Sequence, residues 1–405
     1  MVFSTDALFS GNDDSSAFFD RERWHDVETQ EELKMETEVV SLSLFTSFST
    51  AVLLLVSVVA VGGGLGFAYY IQYVTKLVSQ PIDRDYRNIP QQWIGYGEEQ
   101  AVWLRDVDKP GCFTASFQGD VFVGDEEKPM LYRYSLQGDL LATLPLDGVP
   151  TAVAIGEADT LFPGQLLIAF RNRLAVYSLN GKKQTDWSPF AKNGSIHSIA
   201  LTSDSIFAAD SVRLVVLHFD GTGKLLKEIG RKPKEPSKED DDINVFPGFV
   251  VFSSPISLTV SKATGMLLAA NPGMHRIEAF TQDGYWESSL SWGKASSDLF
   301  GFTGCCNPVS LATFSDGRIV TAEKSSNLRV KVYFPNSQLD LVVAGPNVLT
   351  NPPANIPLPE NFQSIVANSD RPLHIAAITG DRIIIYDPVL RIFRLFLPVH
   401  QNRKH

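Results

Sequence analysis

"SIFAADSVRLVVLHFDGTGKLLKEIG", residues 205–230, holds three short apolar runs separated by two polar breaks. The first run ends in Asp210, the second in Phe219, and the third begins at Leu225. The break "FDGTGK" supplies the Asp and Gly that let a chain reverse tightly between antiparallel strands. Runs this short, rich in Val, Ile, Leu and aromatics and bounded by turn residues, read as strands. The question is whether the rest of the chain repeats the unit.

It does, five more times. Runs equivalent to "SIFAAD" read "DVFVGD" (120–125), "QLLIAF" (165–170), "MLLAAN" (266–271), "RIVTAE" (318–323) and "LHIAAI" (373–378). Each is followed by a run ending in an aromatic, so that Tyr134, Tyr177, Phe219, Phe280, Tyr333 and Tyr386 mark the copies. Another apolar run stands before each: "CFTAS", "TAVAI", "IHSIAL", "PISLTV", "PVSLAT" and "FQSIVA". A fourth follows, as in "LLATLPL", "LDLVVAG" and "RIFRLFL". Four strands in six copies predict an all-β six-bladed propeller, since a sandwich does not call for near-equivalent four-strand units. The markers are 43, 42, 61, 53 and 53 residues apart. A blade needs about 40–45 residues, so the surplus is read as inserted loops.

The unit resembles the NHL repeat: an inner strand, a second strand ending in Ala-Asp, a third strand led by Arg, and a fourth. Arg173, Arg276, Arg329 and Arg382 stand four residues before their marker aromatics, while copies one and three lack that Arg and several second strands lack the Asp. The likeness covers residues 110–398, and "GCCNP" with "TAEK…RVKVY" is similar to the membrane-anchored bacterial members of that family. Some NHL propellers are zinc-dependent lyases with histidines from several inner strands facing the channel. Here the sequence places only His197 on an inner strand, and reads His218 and His374 as packing residues elsewhere.

Propeller strands alternate in direction, so the loop between second and third strands shares a face with the link into the next blade. The three long insertions, "RKPKEPSKEDDDINVFPGF", "SWGKASSDLFGFTGCCNP" and "GPNVLTNPPANIPLPEN", all fall on that face. Long loops on a rigid scaffold are where binding resides. Cys305, Cys306 and Asn307 sit there before the inner strand of blade five, near Asn271, His275 and Arg276 of blade four and Glu323 and Lys324 of blade five. These eight are the candidate ligand or cofactor residues. The third cysteine, Cys112, begins the inner strand of blade one.

Four readings of the adjacent thiols stay open. They are small buried hydrophobes, a vicinal disulfide, ligands with Cys112 or His275 for copper or zinc, or a nucleophile with His275 as base. The Glu323–Lys324 pair equally reads as an exposed ion pair. Neither a Walker loop nor a G-x-S-x-G elbow occurs. No catalytic residue and no cofactor is firmly implied, so a binding or scaffolding module leads, ahead of a redox protein holding a metal or organic cofactor beside the cysteines.

The N-terminal part sets a different problem. Residues 1–42 carry eleven acidic and three basic residues, leaving −3 of the total −11 for the remainder. No basic surplus exists for a phosphate backbone, so nucleic acid is not an expected partner. The tail reads as solvated and partly disordered. No charge occurs between Glu38 and Lys76, and residues 44–70 suffice at about 1.5 Å per residue to cross a hydrocarbon core of about 30 Å. Tyr69, Tyr70 and Tyr73 cluster at one end, as at a headgroup level. A signal peptide would stand closer to the start behind a basic segment. The expected organisation is an acidic tail (1–42), a single transmembrane helix (43–73), a connector (74–108), the propeller (109–398) and a C-terminal tail (399–405). The protein is expected to be a single-pass membrane protein; the flanking charges do not set its orientation, and the propeller is expected outside the cytoplasm because single-anchor layouts usually place it there.

Overall fold

The computed structural model describes residues 89–399, apart from 188–189, 191, 233–244, 325–327 and, between 352 and 369, all but 353, 356, 362 and 364. The expected acidic tail, the transmembrane helix, residues 74–88 of the connector and residues 400–405 of the C-terminal tail lie outside the described residues. Among the described residues no helix is long and apolar enough to cross a membrane.

Six antiparallel sheets make six blades. β1 (Tyr96–Trp103) comes first in the chain and last in the architecture. Blade one is β2 (Pro110–Ala115), β3 (Val121–Asp125), β4 (Met130–Tyr134) and β5 (Leu140–Pro145). Blade two is β6 (Ala152–Ile155), β7 (Gln165–Phe170), β8 (Arg173–Ser178) and β9 (Lys183–Trp187). Blade three is β10 (Ile196–Leu201), β11 (Ser205–Asp210), β12 (Val215–Asp220) and β13 (Leu225–Ile229). Blade four has three strands, β14 (Leu258–Val260), β15 (Leu267–Asn271) and β16 (Arg276–Phe280), with single bridges from Trp286 and Trp292 in place of a regular fourth. Blade five is β17 (Ser310–Thr313), β18 (Ile319–Glu323), β19 (Arg329–Tyr333) and β20 (Leu339–Ala344). Blade six joins β21 (His374–Ile378), β22 (Arg382–Asp387) and β23 (Ile392–Pro398) to β1.

Burial explains why the repeat is readable. Every residue of β3, β11, β15 and β18 is buried, because neighbouring blades cover both faces of a second strand. Such strands become near-continuous apolar runs. The outermost strands face water on one side, and four of the five residues of β9 are exposed.

Blade six corrects the expected assignment. "FQSIVA" was the expected inner strand, but the inner position belongs to β21, which borders the channel beside the inner strands of the other five blades. Everything after it therefore sits one strand further in: Tyr386 lies on a second strand, and Arg382 opens that strand rather than a third. The fourth strand is β1, paired from Tyr96↔Pro398 to Trp103↔Ile392. Residues 96–103 thus belong to the propeller, which starts before residue 109. Pairing β1 with the last sheet covers the edge of β23 and ties the two ends of the propeller together. His374 correspondingly moves onto an inner strand, and it lines with His197 and Cys112 a channel cavity of about 170 Å³.

With this register, the residues ending the second strands are equivalent: Asp125, Phe170, Asp210, Asn271, Glu323 and Asp387. A serine on, or immediately before, three inner strands staples neighbours around the channel. Ser198 Oγ accepts from Leu258 N (2.9 Å), Ser257 Oγ from Leu311 N (3.0 Å), and Ser310 Oγ from Ile375 N (3.3 Å). Ala152, His374 and Cys112 occupy the same place opposite their second strands in blades two, six and one.

Candidate functional site

The loop-rich face is held down by the second-strand ends. Asn271 Oδ1 accepts from Val250 N (2.8 Å), and its Nδ2 donates to Gly248 O (3.2 Å) and Glu278 Oε1 (3.2 Å). This fixes the chain arriving from blade three. Asp387 pairs with the buried Arg371, whose Nη2 donates to Leu349 O (3.0 Å), and so fixes the chain arriving from blade five. Arg276 joins the first of these clamps through Glu278 (3.3 Å).

Glu323 makes the most elaborate clamp. It lies opposite Arg329 across β18 and β19, and Lys331, two residues on, shares Arg329's face. All three are buried, at 0%, 1% and 0% exposure. Glu323 Oε2 accepts from Arg329 Nη2 (2.8 Å), Thr303 N (2.8 Å) and Thr303 Oγ1 (3.1 Å), while Oε1 faces Lys331 Nζ (2.8 Å) and Arg329 Nε (3.2 Å). The cations spend their remaining protons on the incoming loop. Arg329 Nη1 donates to Asp298 O (3.1 Å), and Lys331 Nζ to Gly301 O (2.8 Å) and Leu299 O (3.2 Å). Burial alone would raise the Glu323 carboxyl, but Lys331 and Arg329 outweigh it and hold it below the ordinary range. Burial pulls Lys331 down to about 8 despite its partner. The "TAEK…RVKVY" motif is therefore the seat on which the loop carrying "GCCNP" rests.

Beyond that seat the thiols emerge. Asn307 Oδ1 accepts from Lys324 N (2.8 Å), and its Nδ2 donates to Lys324 O (3.3 Å) and to Thr303 O. The Asn307–Pro308 peptide is cis. Ser254 Oγ donates to Cys306 O (3.3 Å), and His275 Nε2 to Gly304 O (2.6 Å). Cys306 is buried, Cys305 is exposed, and neither is in a disulfide. Lys324 is not the exposed partner of Glu323 that the sequence allowed. Its side chain is 2% exposed, and its Nζ donates to Ser253 Oγ (2.8 Å) and pairs with Asp370. The Cys305 thiol is raised above its ordinary value by its hydrogen bond to Cys306 and then by burial, with the Lys324 charge opposing.

The structure thus brings Cys305, Cys306, Asn307, His275 and Lys324 together, with Glu323 behind them. Asn271 and Arg276 serve the neighbouring clamp. Cys112 stands apart: it is buried in blade one, its thiol pushed up to about 12, and it packs on Gly124, where any Cβ would collide with its sulfur. Among the described residues no group of three or more His, Cys, Asp or Glu is placed to hold a metal ion, so the weak metal set of Cys305, Cys306, Cys112 and His275 does not assemble. Ser253, Ser254 and Asp370 escaped the sequence reading because each lies in an insertion outside the repeat. Phe252 and Met274, 75% and 41% exposed, flank Ser253 and His275 on this face.

The opposite mouth of the channel opens into a cavity of about 420 Å³ edged by Thr, Ser, Glu157, Asp159 and Lys262. Its rim is pinned by the Lys262–Asp159 pair (2.9 Å).

No protein-family model and no curated protein matches this chain. A structural genomics protein of unknown function from Bacteroides thetaiotaomicron is 11% identical over 75% of this chain and 72% of its own, with a TM-score of 0.51. Virginiamycin B lyase from Staphylococcus aureus is 12% identical over 75% of this chain and all of its own, with a TM-score of 0.48. At such identity the likeness concerns architecture alone: this chain has the fold of a six-bladed β-propeller.

Proposed function

We propose that the chain is a membrane-anchored propeller of the NHL type that works as a binding module. Residues 44–70 are its single-pass anchor, the propeller stands outside the cytoplasm, and the loop-rich face takes a protein partner or a small ligand. One observation carries the reading: Glu323, Arg329 and Lys331, all buried, spend their hydrogen bonds on fixing residues 298–303. Burying charge costs several kcal/mol per ion before pairing, and a surface loop with no task does not require it. The exposed Phe252 and Met274 beside that loop give a partner apolar area to cover.

Photo-crosslinking residues placed at Phe252 and, on the opposite face, at Tyr285 of the full chain in its native membrane test the reading. Adducts of defined mass at position 252 and none at 285 support it. Equal labelling at both positions, or none at 252, overturns it. A redox role at Cys305 and Cys306 is the second reading, favoured by one exposed thiol standing beside one buried thiol.

A further inference from the structure

We propose that Cys305 and Cys306 form a dithiol that reduces an accessible disulfide, Cys305 as the attacking thiol and Cys306 as the resolving one. This rests on the second reading above and not on the binding module. Disulfide exchange needs one sulfur that a substrate can reach and a second that reaches only the first. Cys305 is exposed, and Cys306, its neighbour in the chain, is 1% exposed. The pair cannot drift: Asn307 is tied to Lys324 and Thr303, Ser254 holds the Cys306 carbonyl, and His275 holds Gly304.

The exchange balances without an outside oxidant. The Cys305 thiolate attacks one sulfur of R–S–S–R′ and expels R′–S⁻, which takes up the proton that Cys305 lost. The Cys306 thiol then loses its proton and attacks the Cys305 sulfur of the mixed disulfide, expelling R–S⁻, which is protonated in turn. The substrate disulfide is reduced to two thiols, and the two cysteines are oxidised to one disulfide. The charges that act on Cys305 are the Lys324 ammonium and the Asp370 carboxylate, with Cys306 beside it and the His275 ring on the preceding carbonyl. Lys324 is a positioning residue that stabilises the thiolate. Asp370 opposes it.

The test uses the purified full chain with dithiodipyridine, a small aryl disulfide, followed by release of thiopyridone and by intact mass. Wild type should release two thiopyridones per chain and retain no adduct, ending as the Cys305–Cys306 disulfide. Cys306→Ser should release one and keep a stable mixed disulfide on Cys305. Cys305→Ser should react at least about tenfold more slowly, because the remaining thiol is buried. Lys324→Met should slow the first step and move its pH profile to alkaline values, and Lys324→Arg should restore both; a merely structural lysine would leave the profile in place. An adduct retained by wild type, or equal rates for the two cysteine variants, overturns the proposal, and the wild-type mass decides it even if a variant does not fold. Substituting oxidised glutathione and then a disulfide-closed peptide for the probe sorts low-molecular-weight from polypeptide substrates, and failure of both to oxidise the pair also overturns it.

Discussion

Blades two and five follow one plan and part company where the second strand ends. Blade five ends its second strand in Glu323, and blade two ends its own in Phe170. Blade two receives only a short link from blade one, and its charges lie outside. Arg173 sits over the Phe170 ring at 4.4 Å and pairs with Asp147 (3.1 Å) and Asp186 (2.8 Å), which are 37% and 34% exposed. Blade five receives the loop bearing the cysteines and holds it with charges that see no water. Similar groups do different work in the two places. In blade two they decorate an edge, and in blade five they position a loop.

The largest break in that comparison should come from Glu323→Gln. It strands Arg329 and Lys331 in a dry site, and losing one partner of a buried pair costs about 3–5 kcal/mol. Urea unfolding followed by fluorescence measures the loss.

The same cluster should make stability depend on pH at both ends. Lys331, pulled down to about 8 when folded, stays protonated in the unfolded chain up to about 10.4. The unfolded chain therefore binds more protons across that interval, and stability rises with pH there, by up to about 1.4 kcal/mol per pH unit. Glu323 is held below its ordinary value, so its contribution is full above the usual carboxyl range and is lost as pH falls through the folded value. Urea midpoints measured between about pH 7 and about pH 10 should climb in wild type relative to Lys331→Met, in which the opposing slope of the raised Cys112 and Cys305 thiols remains. A wild-type curve parallel to that of Lys331→Met would remove Lys331 from the account.

Smaller effects sharpen the picture around the channel. Ser310→Ala leaves the Ile375 amide without its side-chain acceptor and should cost about 1 kcal/mol in the same assay. The smallest change belongs to blade two, where Asp186→Asn should move stability by less than about 1 kcal/mol, as exposed ion pairs do. If Asp186→Asn cost as much as Glu323→Gln, the contrast between the two blades would be wrong.

Much of this was legible beforehand, and the failures are instructive. Five of the six second strands stood out because their burial on both faces makes them uninterrupted apolar runs. Cys305, Asn307, His275 and Lys324 were found together because loop direction in a propeller follows from strand order. The seam was misread because any strand of the unit is a short apolar run, and Arg382 with Tyr386 happens to reproduce the Arg-to-aromatic spacing of a third strand. The exposed reading of Lys324 failed because Ser253 and Asp370 cover it from distant insertions that carry no period.

By itself, then, the sequence determined the fold class, the number of blades and the face on which the long loops gather, since all three follow from local patterns repeated along the chain. Only the tertiary structure decided which strand closes the ring, that Glu323 holds a loop rather than meeting water, and that one of two neighbouring thiols is open while the other is shut. Those outcomes depend on which distant segments meet, and strand periodicity carries no record of that.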